Sequence, residues 1–332
     1  MFEWIPTWEK DRTSLCERIS RTKADLKIIL KTKDEIYLLR RWLSHHITIV
    51  GAANIIVFDN MSSDPEIDKI YEEYREQIII ARFSGYQDDI HIADRFPELY
   101  AAIAESARFF VFLDTDEYLI WLKDDLTWIK DGSILQRIAA REESGVLPAA
   151  WLGNVPFFHD RFYVGSGDDE TGEDLGWGLK WGKPVISTKA DFAGNLLHNA
   201  YLDFKMYEKS CCLNVFILHL ASFSPEQRIA SNMRKLRAIK FISDAENVQT
   251  VLARDANAIG HPLIRGYVDE LRELTAIDLT KEPPGDTLEA HTLRLNCDGT
   301  ITFFNAAQGL RLKDYLSDSR QMIARFLKPA AS

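Results

Sequence analysis

The run Phe109-Phe110-Val111-Phe112-Leu113 is apolar over five consecutive positions and then meets Asp114, Asp116 and Glu117 within the next four. An apolar run of this length bounded by polar residues reads as a strand buried on both faces, which implies a sheet covered by helices on both sides. Acids placed where such a strand ends need either solvent or a use. In open α/β sheets ligands gather at the carboxyl ends of parallel strands, and carboxylates at alternate positions, as in Asp114-Thr115-Asp116, can converge on one hard divalent cation. The expectation is a metal and a phosphorylated ligand. An exposed acidic turn after a core strand is the plain alternative.

The preceding residues supply the rest of that sheet. Residues 26–30 read as a first strand, and Lys33-Asp34-Glu35 opens a helical pattern through Leu38, Leu39, Trp42 and Leu43 that Gly51 ends. Residues 54–58 form a second strand, and Asp64 and Pro65 cap and open a helix through Ile67, Ile70 and Tyr74. Residues 77–83 give a third strand, 97–107 a third helix and 109–113 the fourth strand. This β-α-β-α-β-α-β alternation demands a parallel sheet with right-handed crossovers. Asp59-Asn60 and Asp114-Thr115-Asp116 then share one rim. The first turn lacks G-x-G-x-x-G and the chain has no G-x-x-x-x-G-K-[ST], so the phosphate binder has to be a metal.

Beyond Tyr118 the pattern loosens. Residues 126–141 read as helix and 147–158 as strand. Residues 165–182 carry six glycines among Asp168, Asp169, Glu170, Glu173 and Asp174, with Trp177 and Trp181, and read as a mobile lid. A strand at 184–187 precedes His198, and the apolar run 215–218 leads into His219. Ser224-Pro225-Glu226-Gln227 is a capping box that opens a helix made basic by Arg228, Arg234, Lys235, Arg237 and Lys240. From about residue 243 come helical segments and a hairpin turning at Asp298-Gly299. The expected division is therefore 1–242 as the ligand-binding and catalytic domain, and 243–332 as a helical and hairpin appendage, with Pro283-Pro284-Gly285 as an internal linker.

The 332 residues carry a net charge of -10, which argues against nucleic acid as a partner. No apolar run approaches the roughly 18 residues of a membrane span, and residues 1–11 have no signal-like apolar core, so the expectation is a cytoplasmic protein without an integral membrane segment. Cys16, Cys211, Cys212 and Cys297 show no C-x-x-C spacing for zinc.

Four stretches in order resemble the family 2-like glycosyltransferases of the GT-A fold. Lys33-Asp34-Glu35 with Trp42-Leu43-Ser44-His45-His46 is similar to the family's opening Lys-Asn-Glu, Glu-Trp-Leu and His-His pattern, and Val57-Phe58-Asp59-Asn60-Met61-Ser62-Ser63-Asp64 to its Tyr-Asp-Asn-x-Ser-x-Asp element. Phe112-Leu113-Asp114-Thr115-Asp116-Glu117-Tyr118 resembles its Phe-Leu-Asp-x-Asp-Glu-Phe. Lys183-Pro184-Val185, His198 and the stretch from His219 to Gln227 resemble a later Lys, His and His-Tyr-x-x-Ser-x-Glu-Glu succession. Arg41, Leu220 and Gln227 depart from the pattern.

The resemblance implies an α/β GT-A fold with a mostly parallel sheet, and inverting transfer of a sugar from a UDP- or GDP-sugar to a carbohydrate or glycoconjugate acceptor. It implies Mn²⁺ or Mg²⁺ held by Asp114, Asp116 and His219, and donor contacts from Lys33, Glu35, Asp59, Asn60, Asp114, Thr115 and Lys183. Asp59 would accept from ribose hydroxyls or a base N–H. The base is expected to be Asp174, beside Glu173, with Glu226 and Asp160 as competitors. His45 and His46 read as structural residues complementing a helix dipole. A non-catalytic nucleotide-sugar-binding protein of the same fold and an Asp-x-Asp phosphatase are the alternative functions; a nucleotidyltransferase would need a glycine-rich first turn.

Overall fold

Helix α1 (Trp8–Arg21), which carries no sharp sequence signal, precedes the alternating β/α segment. That segment is β1 (Ala24–Thr32), α2 (Leu39–Val50), β2 (Ile55–Asp59), α3 (Pro65–Tyr74), β3 (Ile79–Arg82), α4 (Pro97–Ser106) and β4 (Ala107–Leu113). The computed structural model describes residues 4–123, 125–140, 146–154, 160–163, 182–190, 214–220, 225–255, 258–276 and 292–303. As the alternation requires, β1 pairs in parallel with β2 and β4, and β2 with β3. Asp64 caps α3 by accepting from the Glu66 N–H at 2.9 Å, with Pro65 in the first turn. Gly51 ends α2 at φ 75°, where its N–H reaches the Ile47 carbonyl.

Alternation along the strands sorts the core into two layers. Leu26, Ile28, Leu30, Phe109, Val111 and Leu113 face α2, α3 and the helix at Ser133–Ala139, whereas Ile29, Phe58, Phe110 and Phe112 face α1 and α4. Burial on both faces is why the strands read as unbroken apolar runs.

The sheet then continues past β4 to nine strands, in the order β3-β2-β1-β4-β9-β7-β10-β5-β6. The added strands are β5 (Glu117–Leu122), β6 (Trp128–Ile129), β7 (Val146–Gly153), β9 (Gly182–Ser187) and β10 (Val215–His219). Strand β9 is antiparallel to both neighbours and β5 to both of its own, while β7 and β10 are parallel, so all strands but β5 and β9 share one direction. The fold is the expected α/β class. Only α5 (Ser133–Ala139) of the anticipated 126–141 helix forms, because Trp128 and Ile129 are drawn into β6 against Leu122 and Trp121.

A second sheet joins β8 (Arg161–Tyr163) to the hairpin of β11 (Thr292–Leu295) and β12 (Ile301–Phe303). The hairpin turns at Asp298-Gly299 as read, with Gly299 at φ 85° and its carbonyl accepting from the Trp128 N–H at 2.8 Å. Leu293 and Leu295 belong to the main core, whereas α6 (Pro225–Ala238), α7 (Val248–Leu252) and α8 (Pro262–Ala276) share a core of their own around Leu236, Val251, Val268 and Leu271. No helix among the described residues is long and apolar enough to cross a membrane.

His45 and His46 are indeed structural, but not through a helix dipole. They lie inside α2 and grip Leu119 of β5: His45 Nε2–H donates to its carbonyl at 2.7 Å, while its N–H donates to His46 Nε2 at 3.2 Å. His46 Nδ1–H donates to the Trp42 carbonyl at 3.0 Å while its Nε2 accepts, so its ring is neutral. Burial depresses His45 to about 4 and His46 well below its ordinary 6.5. The unfolded chain therefore binds more protons, and stability should fall as pH drops from about 6.5 towards 4, by up to about 1.4 kcal/mol per pH unit for each histidine. Urea denaturation of the parent and His46→Gln across this range should show a slope shallower by about that amount in the variant. Equal slopes would mean that His46 is not buried neutral.

Candidate active site

Because β1, β2, β4 and β10 run the same way, Thr32, Asp59, Leu113 and His219 end on one rim. Strand β4 lies between β1 and β9, and each neighbour sends a lysine to Asp114. Lys183 Nζ of β9 lies 3.0 Å from Asp114 Oδ2, and Lys31 Nζ of β1 lies 4.0 Å from Oδ1. Lys31 also pairs with Asp88, on the segment Gln87–His91. The turn after β4 closes by a Glu117 N–H bond to the Asp114 carbonyl at 3.0 Å, and Glu117 Oε2 returns to accept from the Asp114 N–H at 2.8 Å. That same Oε2 is 3.3 Å from Lys183 Nζ.

Asp116 faces the other way. Register places His219 opposite Glu117, and its Nε2 lies 3.6 Å from Asp116 Oδ2. The Leu220 N–H donates to the Asp116 carbonyl at 2.7 Å, and Trp151 of β7 stacks on the imidazole at 4.7 Å and 17°. Asp116 and His219 each keep about a quarter of their side chains exposed, so the pair opens to solvent.

The charges shift accordingly. Burial would raise Asp116, but the charge and hydrogen bond of His219 outweigh it and bring the carboxyl down to about 2. Burial would lower His219, and Asp116 raises it on balance. Burial raises Glu117 to about 7, with Asp114 adding to the rise and Lys183 opposing it. Lys183 is raised, since Asp114 and Glu117 outweigh the burial that would lower it.

Several other anticipated residues are engaged in holding the rim's shape. Asp59 is fully buried; its Oδ1 accepts from the Ser62 N–H at 2.8 Å and its Oδ2 meets Arg82 Nε at 3.2 Å, with Asp68 pairing the far end of that guanidinium. Asn60 donates to the carbonyls of Phe83 and Gly85. The geometry gives both to turn and ion-pair chemistry rather than to a ligand surface. Glu35 is held by Arg234 Nη2 at 2.8 Å, and Asp34 accepts from the N–H groups of Ser63 and Asp64. Arg237 donates to the Glu246 carbonyl, and Asp160 pairs with Arg294 at 3.2 Å. Lys33 is exposed and Thr115 half-buried on the rim, and Glu226 is exposed in the first turn of α6. Asp174, Glu173, His198 and the 165–181 part of the expected lid lie outside the described residues.

Sequence reasoning passed over Lys31 and Glu117 as working groups, and it read Lys235 only as one of the charges that make its helix basic. Lys31 carried a legible signal, a charge directly after the apolar run Ile28-Ile29-Leu30. Lys235 of α6 lies over the Tyr267 ring at 5.3 Å; burial and Arg228 lower its pKa, and Asp116 and Asp114 pull it upward.

Among the described residues, no group of three or more His, Cys, Asp and Glu side chains is arranged to hold a metal. Asp116 and His219, one carboxylate and one imidazole, would leave the remaining positions of a divalent cation to phosphate oxygens and water, a set that suits Mn²⁺ better than Mg²⁺.

No family model and no curated protein matches the chain. Solved structures similar to it include residues 1–349 of TarS from S. aureus, at 14% identity and TM-score 0.33, covering 75% of this chain and 71% of that one. A longer TarS structure shows 16% identity and TM-score 0.35, covering 69% of this chain, which spans only 42% of the TarS length. The mannosyltransferase PcManGT from Pyrobaculum calidifontis, solved with GDP-Man and Mn²⁺, shows 12% identity and TM-score 0.34, covering 92% and 85%. At TM-scores this low, the function rests on the site itself.

Lys183 is 2% exposed and Glu117 1%, so removing the lysine leaves a carboxylate in the interior without its counter-ion. Lys183→Met should destabilise the fold by about 3–5 kcal/mol in urea denaturation above about pH 8, where Glu117 of the parent is ionised. A loss under about 1 kcal/mol would mean that water or another cation reaches Glu117.

Proposed function

We propose that this chain is an inverting glycosyltransferase that moves a sugar from a nucleotide-diphosphate sugar, a UDP- or GDP-sugar, to a hydroxyl of a carbohydrate or glycoconjugate acceptor. The observation that carries this reading is Asp116 facing His219, each about a quarter exposed, at the rim where a buried strand ends in Asp114-x-Asp116. The order of sequence stretches that resemble family 2-like glycosyltransferases supports it.

Asp116 and His219 would hold Mn²⁺ or Mg²⁺. The bound ion supplies Lewis acidity to the diphosphate as it leaves. Lys183 and Lys31, each paired with two acids beside Asp114, would hold the rim that faces the diphosphate. In the transfer, the bond between the anomeric carbon and the phosphate oxygen breaks, the acceptor oxygen forms the new bond, and the acceptor's proton goes to a carboxylate base. Asp174 is the first choice for the base and Glu226 the second. Lys33 and Thr115, on the loops after β1 and β4, are proposed donor contacts.

Isothermal titration of UDP and GDP, with and without Mn²⁺, tests the reading. One nucleotide should bind only with the metal, and Asp116→Asn, still folded, should weaken it about tenfold or more. Once an acceptor is in hand, Asp174→Asn should keep donor binding and slow transfer about 10²-fold, with Glu226→Gln taking that role if it does not. Binding indifferent to both the metal and Asp116 would contradict the assignment.

A further inference from the structure

We infer that Lys235 is a phosphate-binding residue: its ammonium, seated on the Tyr267 ring between α6 and α8, takes a phosphoryl oxygen of a ligand entering between those helices and the rim. Its part in sugar transfer rests on the function proposed above. Its place, and the hydrogen-bond donors it keeps free, rest on geometry.

Helix α6 is anchored on two sides. Arg228 makes a bidentate pair with Glu270 of α8, Nε to Oε1 at 2.6 Å and Nη2 to Oε2 at 3.1 Å, and Asn232 Nδ2 donates to the same carboxylate at 2.8 Å. Arg234 Nη2 reaches Glu35, on the loop after β1, at 2.8 Å. Lys235 stands two helical turns beyond Arg228 and so shares its face, while Tyr267 lies one turn before Glu270 on α8. The ammonium comes to rest 5.3 Å from the centre of that ring. The arginines of α6 are spent, Arg228 and Arg234 on carboxylates and Arg237 on the Glu246 carbonyl at 3.0 Å. Lys235 is half-buried and, among the described residues, has no acid within ion-pair distance. A lysine on a merely solvated helix face would be exposed, as Lys240 is just beyond α6.

A ring face attracts an ammonium through its quadrupole, so it holds the charge in place without offering a lone pair to any of the three N–H donors. The charges Lys235 senses show where it sits. Burial and Arg228 lower its pKa, and Asp116, Asp114 and Glu270 raise it, which sets the ammonium between α8 and the rim. None of those acids is left for it: Glu270 holds Arg228, Asp114 holds Lys183 and Lys31, and Asp116 faces His219. The Tyr267 hydroxyl is raised by burial first and then by Glu270 and Asp88, with Arg228 opposing, so the ring looks towards the Gln87–His91 segment where Asp88 pairs with Lys31. An ammonium whose neighbouring acids already have other cations is matched by an incoming anion. Lysine acts as a compact point charge with three donors, which suits the several oxygens of a phosphoryl group. Two sources could bring one here, the donor's diphosphate and a phosphorylated acceptor.

The test is isothermal titration of UDP and GDP with Mn²⁺, and of inorganic phosphate onto protein saturated with whichever nucleotide binds, at low and high salt. The proteins are the parent, Lys235→Met, Lys235→Arg and Tyr267→Leu. Lys235→Met should weaken one of these ligands about tenfold or more, the usual worth of a hydrogen bond to a charged group. It should also flatten the salt dependence of that binding, whereas Lys235→Arg, which keeps the charge, should recover most of the loss. A loss for the nucleotide assigns Lys235 to the donor's diphosphate, and a loss for phosphate alone assigns it to a phosphorylated acceptor. Parental affinity for both in folded Lys235→Met overturns the inference and leaves the proposed function standing. If no nucleotide binds, the proposed function fails by itself, and phosphate titrated onto the free protein decides Lys235: binding lost in Lys235→Met supports the inference, and absent or unchanged binding overturns it. Should Lys235→Met not fold, Tyr267→Leu decides, since the ring seats the ammonium: weaker binding of the same ligand supports the inference, and parental binding overturns it.

Discussion

A carboxylate at the end of a buried strand has to be neutralised by the protein that buries it, and the rim of this sheet is built around that requirement. Glu117 is 1% exposed and Lys183, its counter-ion, 2%. The lysine comes from β9 and the acid from β5, strands that run against the rest of the sheet, so the site exists only when the sheet has closed. The tight turn at 114–117 follows from the same constraint, since Glu117 can reach Lys183 and cap the Asp114 N–H only when the chain reverses at once. His45 and His46 then hold β5 from behind through both backbone groups of Leu119, two residues beyond Glu117.

The same physics explains why the rim divides its acids. Asp59 lies deep enough that its carboxyl is raised by burial even with Arg82 and Ser62 bonded to it, and it is consumed in shaping the turn after β2. Asp114 is drawn to lysines from two neighbouring strands, and Asp116 remains with an imidazole at the surface. Of the acids on these strand ends, Asp59 is held by an arginine, Asp114 by lysines and Asp116 by an imidazole.

The parallel half of the sheet was legible because its signals are local. Runs such as 109–113, the Asp64-Pro65 cap and Gly51 after α2 each declare an element within a few residues, and the structure places those elements as read. The partners of the site residues were not local. Lys183 and Asp114 are 69 residues apart, Glu35 and Arg234 are 199 apart, and Asp59 finds Arg82 at a separation of 23. Nothing in a window of sequence distinguishes an acid that will meet a buried lysine from one that will face a ligand. Strand order decides that, and the insertion of β9, β7 and β10 between β4 and β5 is a tertiary fact. Strand β6 was misread for a related reason: Trp128 and Ile129 suit a helix or a strand, and the edge of β5 settled the matter.

Sugar transfer from a nucleotide-diphosphate donor at this rim is the activity proposed. Mass spectrometry of reactions containing a panel of UDP- and GDP-sugars, Mn²⁺ and a glycan library tests it most directly. One donor should give up its sugar with release of the intact nucleoside diphosphate, and Asp116→Asn or chelation of the metal should stop it. Release of inorganic phosphate, or tight donor binding without any turnover across the panel, would contradict it, the first pointing to a phosphatase and the second to a binding protein of the same fold.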